Sequence, residues 1–566
     1  MNIEMTASKI KRKKDTVNIW KKISKYLPLC IIISFSAVFF IFVFQYGFNP
    51  FSFLSDVFFK KNEIIYNSYT VSLDKGIPKK YVDQIKESLS KIEFNEVKRF
   101  VFVDENPDIL ISTSTNKENS IFFEKLIPVS HLYSLVYNVD LENLDDYNIF
   151  LVGDEYKEYV EDVLNKDVLI LNEYSELITK LSESDSNIGF VLFDDIVPDL
   201  KILSVNSRYF LDDTSACLPI YFSAKLNVED TYILSVLKRN LHLDIDNSIF
   251  NEDLLAKINM TGVTAISRDL ASKIDSLKNY DYPAEALGDF LADADLTHTS
   301  NEVSFLNGCV AQGGMRFCSK PEYIDVLTRS GIDIVELTGN HNNDYGATAN
   351  AESIKKYTDL GMRYFGGGLN TDDAAKILYE EVNGNTIAFI GYNYYDTMLG
   401  TGALAGVSRA GANSYSDEKM KSNIEEARKK AGIVIVDFQF QECWSYPDGD
   451  VIYPICYKPL SSPDQKGTFR KAADYGADIV MGTQAHQPQT YELYKDSVIF
   501  YGLGNLYFDQ DVWIGTRQAM ILTHYIYDGK YIQTKITPIY MDSTLQPDFA
   551  TKEQADLLLK LLKEAR

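Results

Sequence analysis

The chain has 566 residues, is 45% hydrophobic and carries a formal charge of −24 at neutral pH. That length allows two or three domains with real cores, and so acidic a surface argues against nucleic acid and would repel anionic polymers unless a local basic groove exists. With 37 Tyr and 32 Phe the composition suits packed, β-rich structure.

The N-terminus departs from the general acidity. Lys9, Lys11, Arg12, Lys13, Lys14, Lys21, Lys22 and Lys25 face only Glu4 and Asp15 within residues 1–26. Tyr26 to Ser55 is uncharged, and Leu27–Phe44 is nearly continuous hydrophobe. A stretch of that length spans a bilayer, and its basic flank stays in the cytoplasm. Residues 1–26 are therefore predicted to be a cytoplasmic tail and 27–48 an uncleaved transmembrane signal anchor, with the remainder outside the cytoplasm. A cleaved signal peptide would end in a small-residue site, whereas Ser34, Ser36 and Ala37 lie mid-span.

Residues 60–225 read as a small α/β domain. Short apolar runs (Phe100–Val103, Ile109–Ile111, Ile149–Val152, Val168–Leu171, Gly189–Phe193, Ile202–Val205) alternate with charged helical segments such as Tyr81–Val97 and Glu155–Leu164. Alternation of this kind predicts a largely parallel sheet with crossover helices. The order of segments loosely resembles periplasmic solute-binding domains, with no ligand motif, so a spacer is an equal expectation. Residues 226–255 read as a charged, helical linker.

The second α/β domain is predicted over 256–566. Its strands are expected at Gly262–Ile266, Ile332–Leu337, Thr386–Ile390, Ile433–Val436, Ile479–Met481, Val498–Tyr501 and Gln533–Tyr540. Helices are expected at Ala284–Ala292, Pro321–Ser330, Ala351–Leu360, Asp417–Lys430 and Ser462–Tyr475. Cys309 and Cys318 flank a Gly-Gly turn, and Cys443 and Cys456 flank a Pro/Gly/Asp loop. Each pair can close a short disulfide loop in an oxidising compartment; metal ligation is the alternative, without a C-x-x-C spacing to support it. Cys217 is left as a buried thiol.

Two of the six histidines stand in loops directly after apolar runs: Gly339-Asn340-His341-Asn342-Asn343-Asp344 and Gly482-Thr483-Gln484-Ala485-His486. Imidazole, amide and carboxylate groups at rigid strand ends suit one divalent ion, Mn, Zn or Fe. Taken alone, His341 could equally cap a helix or pair with Asp344, and His486 could be satisfied by backbone. The Gly366-Gly367-Gly368 run lacks the Lys-Ser/Thr of a phosphate loop and reads as a tight strand-to-helix turn. His298, near Asn301-Glu302, is a candidate to compensate for a lost ligand.

Five ordered segments carry a family resemblance. They are Asp295–Phe305 with Glu302, the Gly-Asn-His loop, Phe365–Asn370, Asp437-Phe438-Gln439 with Glu442, and Gly476–His486 running on to Gln510. Over roughly 258–545 the chain resembles the poly-γ-glutamate capsule synthesis (CapA/PgsA-like) family, which has the fold of calcineurin-like metallophosphoesterases. The fold class expected is thus α/β throughout: a transmembrane helix, a small solute-binding-like domain, then a metallophosphoesterase-like α/β sandwich.

The resemblance implies a membrane-anchored, extracytoplasmic role in making or exporting a capsule or envelope polymer, with the polymer and its synthesis machinery as partners. It places Asn340, His486, Glu302, Gln439 and Gln484 at metal positions. It places His341, Glu302 and Asp344 in catalytic or positioning roles, and Glu442 as an acid beyond Gln439. Three departures weaken that set. Gly262-Val263-Thr264-Ala265 lacks the family's carboxylate, and Gln439 and Gln484 stand where the family has histidines. One weak metal or a metal-free polar pocket is therefore expected rather than two metals. Weak metal-dependent hydrolysis and a non-catalytic scaffold or solute sensor both follow from such a site.

Overall fold

The computed structural model describes residues 68–566 apart from 95–96, 115–116, 118, 230–231, 242–249, 401, 442–451, 453 and 461–463. The predicted tail and membrane anchor, Glu442 and Cys443 lie outside the described residues. Among the described residues no helix is long and apolar enough to cross a membrane.

The backbone divides into a small unit, residues up to Val71 with Leu89–Asp108, and a large one, Ser72–Ser88 with Ile109–Arg566. In the small unit β1 (Tyr69–Leu73) runs parallel to β2 (Phe100–Phe102). Asp108 ties it by accepting from the Thr70 amide and hydroxyl, each at 2.8 Å. The helix predicted at Tyr81–Val97 ends earlier, spanning Lys79–Ser90. Tyr81, Ile85 and Leu89 bury one face at helical spacing; beyond them Ile92-Glu93-Phe94 alternates with the period of a strand and enters a short hairpin with Val97–Lys98.

The large unit contains three principal layers of sheet. The first is built from β3 (Ile109–Ser114), β4 (Ser120–His131), β5 (Asn148–Val152), β6 (Val168–Leu171), β7 (Asn187–Val191), β8 (Leu200–Ile202) and β9 (Leu218–Leu226). Their order is β3-β9-β4-β7-β5-β6, with β8 also paired to β4. Only β7-β5 and β5-β6 are parallel; β9 and β4 pair antiparallel to all their neighbours here. The expectation of a largely parallel sheet is thus corrected to a mixed one. The cause is β4, a twelve-residue strand through Leu126-Ile127-Pro128-Val129 that returns without a crossover helix.

The other two sheets face each other. One orders β13 (Arg363–Phe365), β12 (Ile334–Glu336), β11 (Leu296–Asn301), β10 (Leu255–Thr264), β21 (Gln518–Tyr527), β22 (Lys530–Met541) and β23 (Pro547–Phe549), with β20 (Asn505–Tyr507) beside β10. The second orders β14 (Leu378–Val382), β15 (Asn385–Asn393), β16 (Ile433–Gln439), β17 (Ile479–Gly482), β19 (Ser497–Leu503) and β18 (Pro488–Tyr494). The central runs β10-β11-β12-β13 and β15-β16-β17-β19 are parallel. Side chains alternate across each strand: Leu296, Ile334, Phe365, Ile387, Ile433, Ile435 and Met481 fill the space between the sheets. Outer residues such as Val335 and Ile521 pack under Leu270 and Ile274 on one side, and Val434 and Phe438 under Ile424 and Phe469 on the other. The result is a four-layer sandwich with helices outside.

The first sheet is fastened to this sandwich. The Ile202 amide donates to Gln533 Oε1 at 2.9 Å, and the Leu493 amide to Tyr133 Oη at 2.7 Å. Asp212 accepts from Tyr525 Oη at 2.9 Å and lies 3.1 Å from Lys535 Nζ and 3.3 Å from Lys257 Nζ. A cavity of about 260 Å³ remains at the junction, lined by Leu132, Tyr137, Lys201, Tyr491, Gln533 and Leu559 among others. Burial pushes the Lys201 amine well below the usual lysine range; it donates to the Ser134 carbonyl and sits over the Tyr137 ring.

Candidate functional site

Parallel strands leave their carboxyl ends at one edge of the sandwich, and the sequence-predicted residues gather there. Glu302 follows β11, Asn340 and His341 follow β12, Gln439 ends β16, and Gln484 and His486 follow β17. Close backbone approach makes this convergence possible. A Cβ on Gly339 would stand 2.7 Å from Glu302 Cγ, and one on Gly262 only 1.9 Å from the Gly504 carbonyl oxygen.

At the centre is the side-chain amide of Gln439, 1% exposed. Its Nε2 faces three oxygens: Glu302 Oε1 at 2.9 Å, Asn340 Oδ1 at 2.7 Å and Gln484 Oε1. The orientation is fixed by the network. Asn393 Nδ2 donates at 2.7 Å both to Gln439 Oε1 and to the Thr338 carbonyl, while Asn393 Oδ1 accepts from the Asp396 amide. Turning Gln439 over would set oxygen against three oxygens and leave Asn393 facing a donor. The Gln439 amide hydrogens thus stand in the middle of the ligand set, where the family resemblance implies cations. Glu302 is the sole carboxylate among Glu302, Asn340, Gln439 and Gln484, and neutral amide oxygens hold transition metals weakly. These residues do not fit a pair of metal ions.

The two histidines flank that cluster. His341 Nδ1 lies 2.8 Å from Asp344 Oδ2, which also accepts the Phe317 amide at 2.8 Å. Burial works to lower the His341 pKa, but the Asp344 hydrogen bond and the charge of Glu302 outweigh it, and the net shift is upward. His486 holds a left-handed backbone, φ 54°, and its Nδ1 lies 2.9 Å from Asn505 Oδ1. Because Asn505 Nδ2 donates to the His486 and Thr516 carbonyls, Nδ1 carries the proton and Nε2 the lone pair. Asp344 and Asn505 therefore orient the two rings.

Sequence reasoning missed the roof over these rings. Phe317 lies 4.3 Å from His341 and Phe508 5.3 Å from His486, centroid to centroid. Arg268 stacks on both phenyl rings and pairs with Asp509 at 2.9 Å. Cys309 and Cys318 form the expected disulfide, with Cα atoms 6.0 Å apart, and it pins the loop that carries Phe317. Cys456 is also disulfide-bonded, and Cys217 is a buried free thiol as expected.

Glu336 and Asp437, which sequence reasoning did not single out, form with His298 a second polar group one step inward along the same strands. His298, Glu336 and Asp437 are wholly buried, with one ligand atom of each within 4.8 Å of the others. His298 Nε2 lies 3.6 Å from Asp437 Oδ2. His298 thus joins Glu336 and Asp437 rather than entering the amide cluster. Burial drives the imidazole down to about 3 and, against weaker help from the Ser300 hydroxyl and Thr338 amide, raises Glu336 to about 7. Burial and then the neighbouring Glu336 raise Asp437 well above the carboxylate range. A triad of this composition can hold a metal ion. In the sequence Glu336 and Asp437 each follow an apolar run, while His298 lies among Thr297, Thr299 and Ser300.

A four-layer α/β sandwich with a polar cluster at the carboxyl ends of facing parallel sheets defines the class of the larger domain. Residues 257–510 match the family model described as bacterial capsule synthesis protein PGA_cap. Over this domain the chain is similar to CapA-like capsule synthesis proteins. The capsule biosynthesis protein CapA of Bacillus anthracis is 28% identical over 233 residues, 40% of this chain and 53% of that protein. The PGA biosynthesis protein CapA of Bacillus subtilis (strain 168) is 28% identical over 267 residues, 47% of this chain and 65% of that protein. The chain thus spans between half and two thirds of the length of these curated relatives. Among solved structures, an ABC-type phosphate transport receptor from Vibrio cholerae aligns at TM-score 0.24 and 12% identity, over 31% of this chain and 94% of the receptor. The substrate-binding protein AbpA from Streptococcus pneumoniae, bound to L-arginine, aligns at 0.20 and 11%, over 32% and 90%.

Proposed function

We propose that this protein acts outside the cytoplasm, anchored by residues 27–48, in synthesis or export of a poly-γ-glutamate-like capsule or envelope polymer. Its larger domain, a four-layer α/β sandwich, supports a metallophosphoesterase-like reading. The strand-end cluster serves as a polar pocket for the polymer or its acidic end group, and two-metal hydrolysis is not its chemistry. The observation that carries this reading is the Gln439 amide, whose hydrogens face Glu302, Asn340 and Gln484. An amide there offers hydrogen bonds but neither polarises a phosphoryl oxygen nor generates hydroxide at neutral pH. Beside it lie His341, whose pKa is raised, and Arg268, stacked on Phe317 and Phe508 and paired with Asp509, hydrogen-bond donors suited to a carboxylate-bearing chain.

Two measurements test this. A strain lacking the protein should lose surface polymer and regain it with the full chain. The full chain in detergent should show no Mn²⁺-dependent turnover of a chromogenic phosphodiester. Robust turnover that disappears in His341→Ala would favour the hydrolase, and unchanged polymer in the deletion strain would remove the capsule role.

A further inference from the structure

The three inner rows of the sandwich have an order that apolar packing does not explain. Along β11 the inward positions are Leu296, His298 and Ser300; along β12 they are Ile334 and Glu336; along β16 they are Ile433, Ile435, Asp437 and Gln439. Each row begins in the apolar core and ends at the strand-end polar cluster, and each places one metal-ligating residue type just before that cluster. These three side chains are 0% exposed. His298 Nδ1 and Nε2, Glu336 Oε2 and both carboxylate oxygens of Asp437 have no hydrogen-bond partner. Among the described residues, no lysine or arginine pairs with Glu336 or Asp437 in a salt bridge.

Leaving five such atoms unpartnered in a dry core is costly, since each buried polar group without a partner forfeits on the order of 1–3 kcal/mol. Two carboxylates and a neutral imidazole sum to the charge that one dication cancels. Metal bonds of about 2.0–2.2 Å at tetrahedral angles separate donor atoms by roughly 3.4 Å. His298 Nε2 and Asp437 Oδ2, 3.6 Å apart, already meet that spacing, and the full set needs only small side-chain rotations to close from within 4.8 Å.

We infer that His298, Glu336 and Asp437 form an enclosed site for one divalent ion of the zinc type, lying between the sheets and beneath the amide-filled pocket. The Ser300 hydroxyl or a trapped water completes the coordination. The ion joins β11 and β12 of one sheet to β16 of the other, so it fastens the two halves of the sandwich. This inference does not depend on the function proposed above: it assigns a fastening role that holds whether the pocket binds polymer or nothing.

The test uses the full chain in detergent, purified without chelators and then incubated with Zn²⁺ and desalted. Elemental analysis should find about one equivalent per chain, and chelation should lower the unfolding temperature, reversibly on zinc addition. X-ray absorption should show one imidazole nitrogen among otherwise oxygen ligands. Asp437→Asn and Glu336→Gln, which preserve volume, should each weaken zinc binding roughly tenfold or more, while Asn340→Ala and His486→Ala leave it intact. Zinc-free protein with no chelator response overturns the proposal, since the cluster then holds only shared protons. It is equally overturned if zinc survives Asp437→Asn and is lost in His486→Ala.

Discussion

Gln439 Nε2 lies 2.7 Å from Asn340 Oδ1, an amide hydrogen bond joining strand ends that belong to opposite sheets and are 99 residues apart in sequence. A neutral contact thus bridges the sheets at the point where the family resemblance implies cations. The properties of the pocket depend on which way that amide points.

Asn393 sets that direction, so Asn393→Ala should leave Gln439 Oε1 and the Thr338 carbonyl without their buried donor. The expected cost is about 1–3 kcal/mol, read from the urea midpoint of the full chain. An unchanged midpoint would mean that Gln439 orients itself.

Restoring imidazoles should restore ligation. The double variant Gln439→His with Gln484→His places two strong nitrogen donors beside Glu302, Asn340 and His486. Metal content should rise by about one equivalent over the unsubstituted protein after incubation with Mn²⁺ or Zn²⁺. Elemental analysis before and after desalting measures it.

Asp212 links the first sheet to the sandwich and gives a pH signature. Burial opposes its charge, but the Lys535 and Lys257 ammonium groups and the Tyr525 hydroxyl overcome this and hold its carboxyl below 3.8. A depressed folded-state pKa contributes stability above the unfolded value and loses it as pH falls through the folded one. Asp212→Asn should therefore cost about 1 kcal/mol near neutrality, and the difference from the unsubstituted protein should vanish in strong acid. Thermal unfolding from pH 7 down to pH 3 follows it.

The Cys309–Cys318 bridge closes a short loop, with a sequence separation of 9. Loop-closure entropy for that length predicts a loss of about 2–3 kcal/mol on reduction. The loop also carries Phe317, so the His341 proton resonances should shift with it. Urea unfolding and histidine NMR with and without reductant separate the two effects.

Gly262 admits no side chain, because its Cβ would meet the Gly504 carbonyl oxygen at 1.9 Å. Gly262→Ala should part β10 from β20 and cost about 3 kcal/mol or prevent folding. Soluble yield and unfolding temperature report it.

How much of this could be read from the sequence follows from period and pairing. The loops of Asn340-His341 and Gln484-His486 were visible because each follows an apolar run, and parallel strands bring such loops to one edge. Gln439 was located through the ordered family segments. Glu336 and Asp437 escaped because a carboxylate closing an apolar run has no meaning until strands are laid side by side, and His298, singled out as a possible ligand, gains these partners only in the fold. The first sheet was misjudged for a similar reason. Alternating strand and helix composition suggests crossovers, but nothing in Ser120–His131 discloses that β4 pairs antiparallel with its neighbours. Arg268 and Asn505 gain their roles only from contacts with Asp509 and His486, distant or loop-borne in the chain.

The positions of Gln439 and Gln484 have a consequence for descent. Glutamine and histidine codons differ at the third base alone, so single-base changes at two codons separate an amide-centred pocket from an imidazole-lined one. Both positions stand at the carboxyl ends of parallel strands, where Gly339 packs against Glu302. Two third-position base changes are thus the whole genetic distance between this pair of amides and a pair of imidazoles.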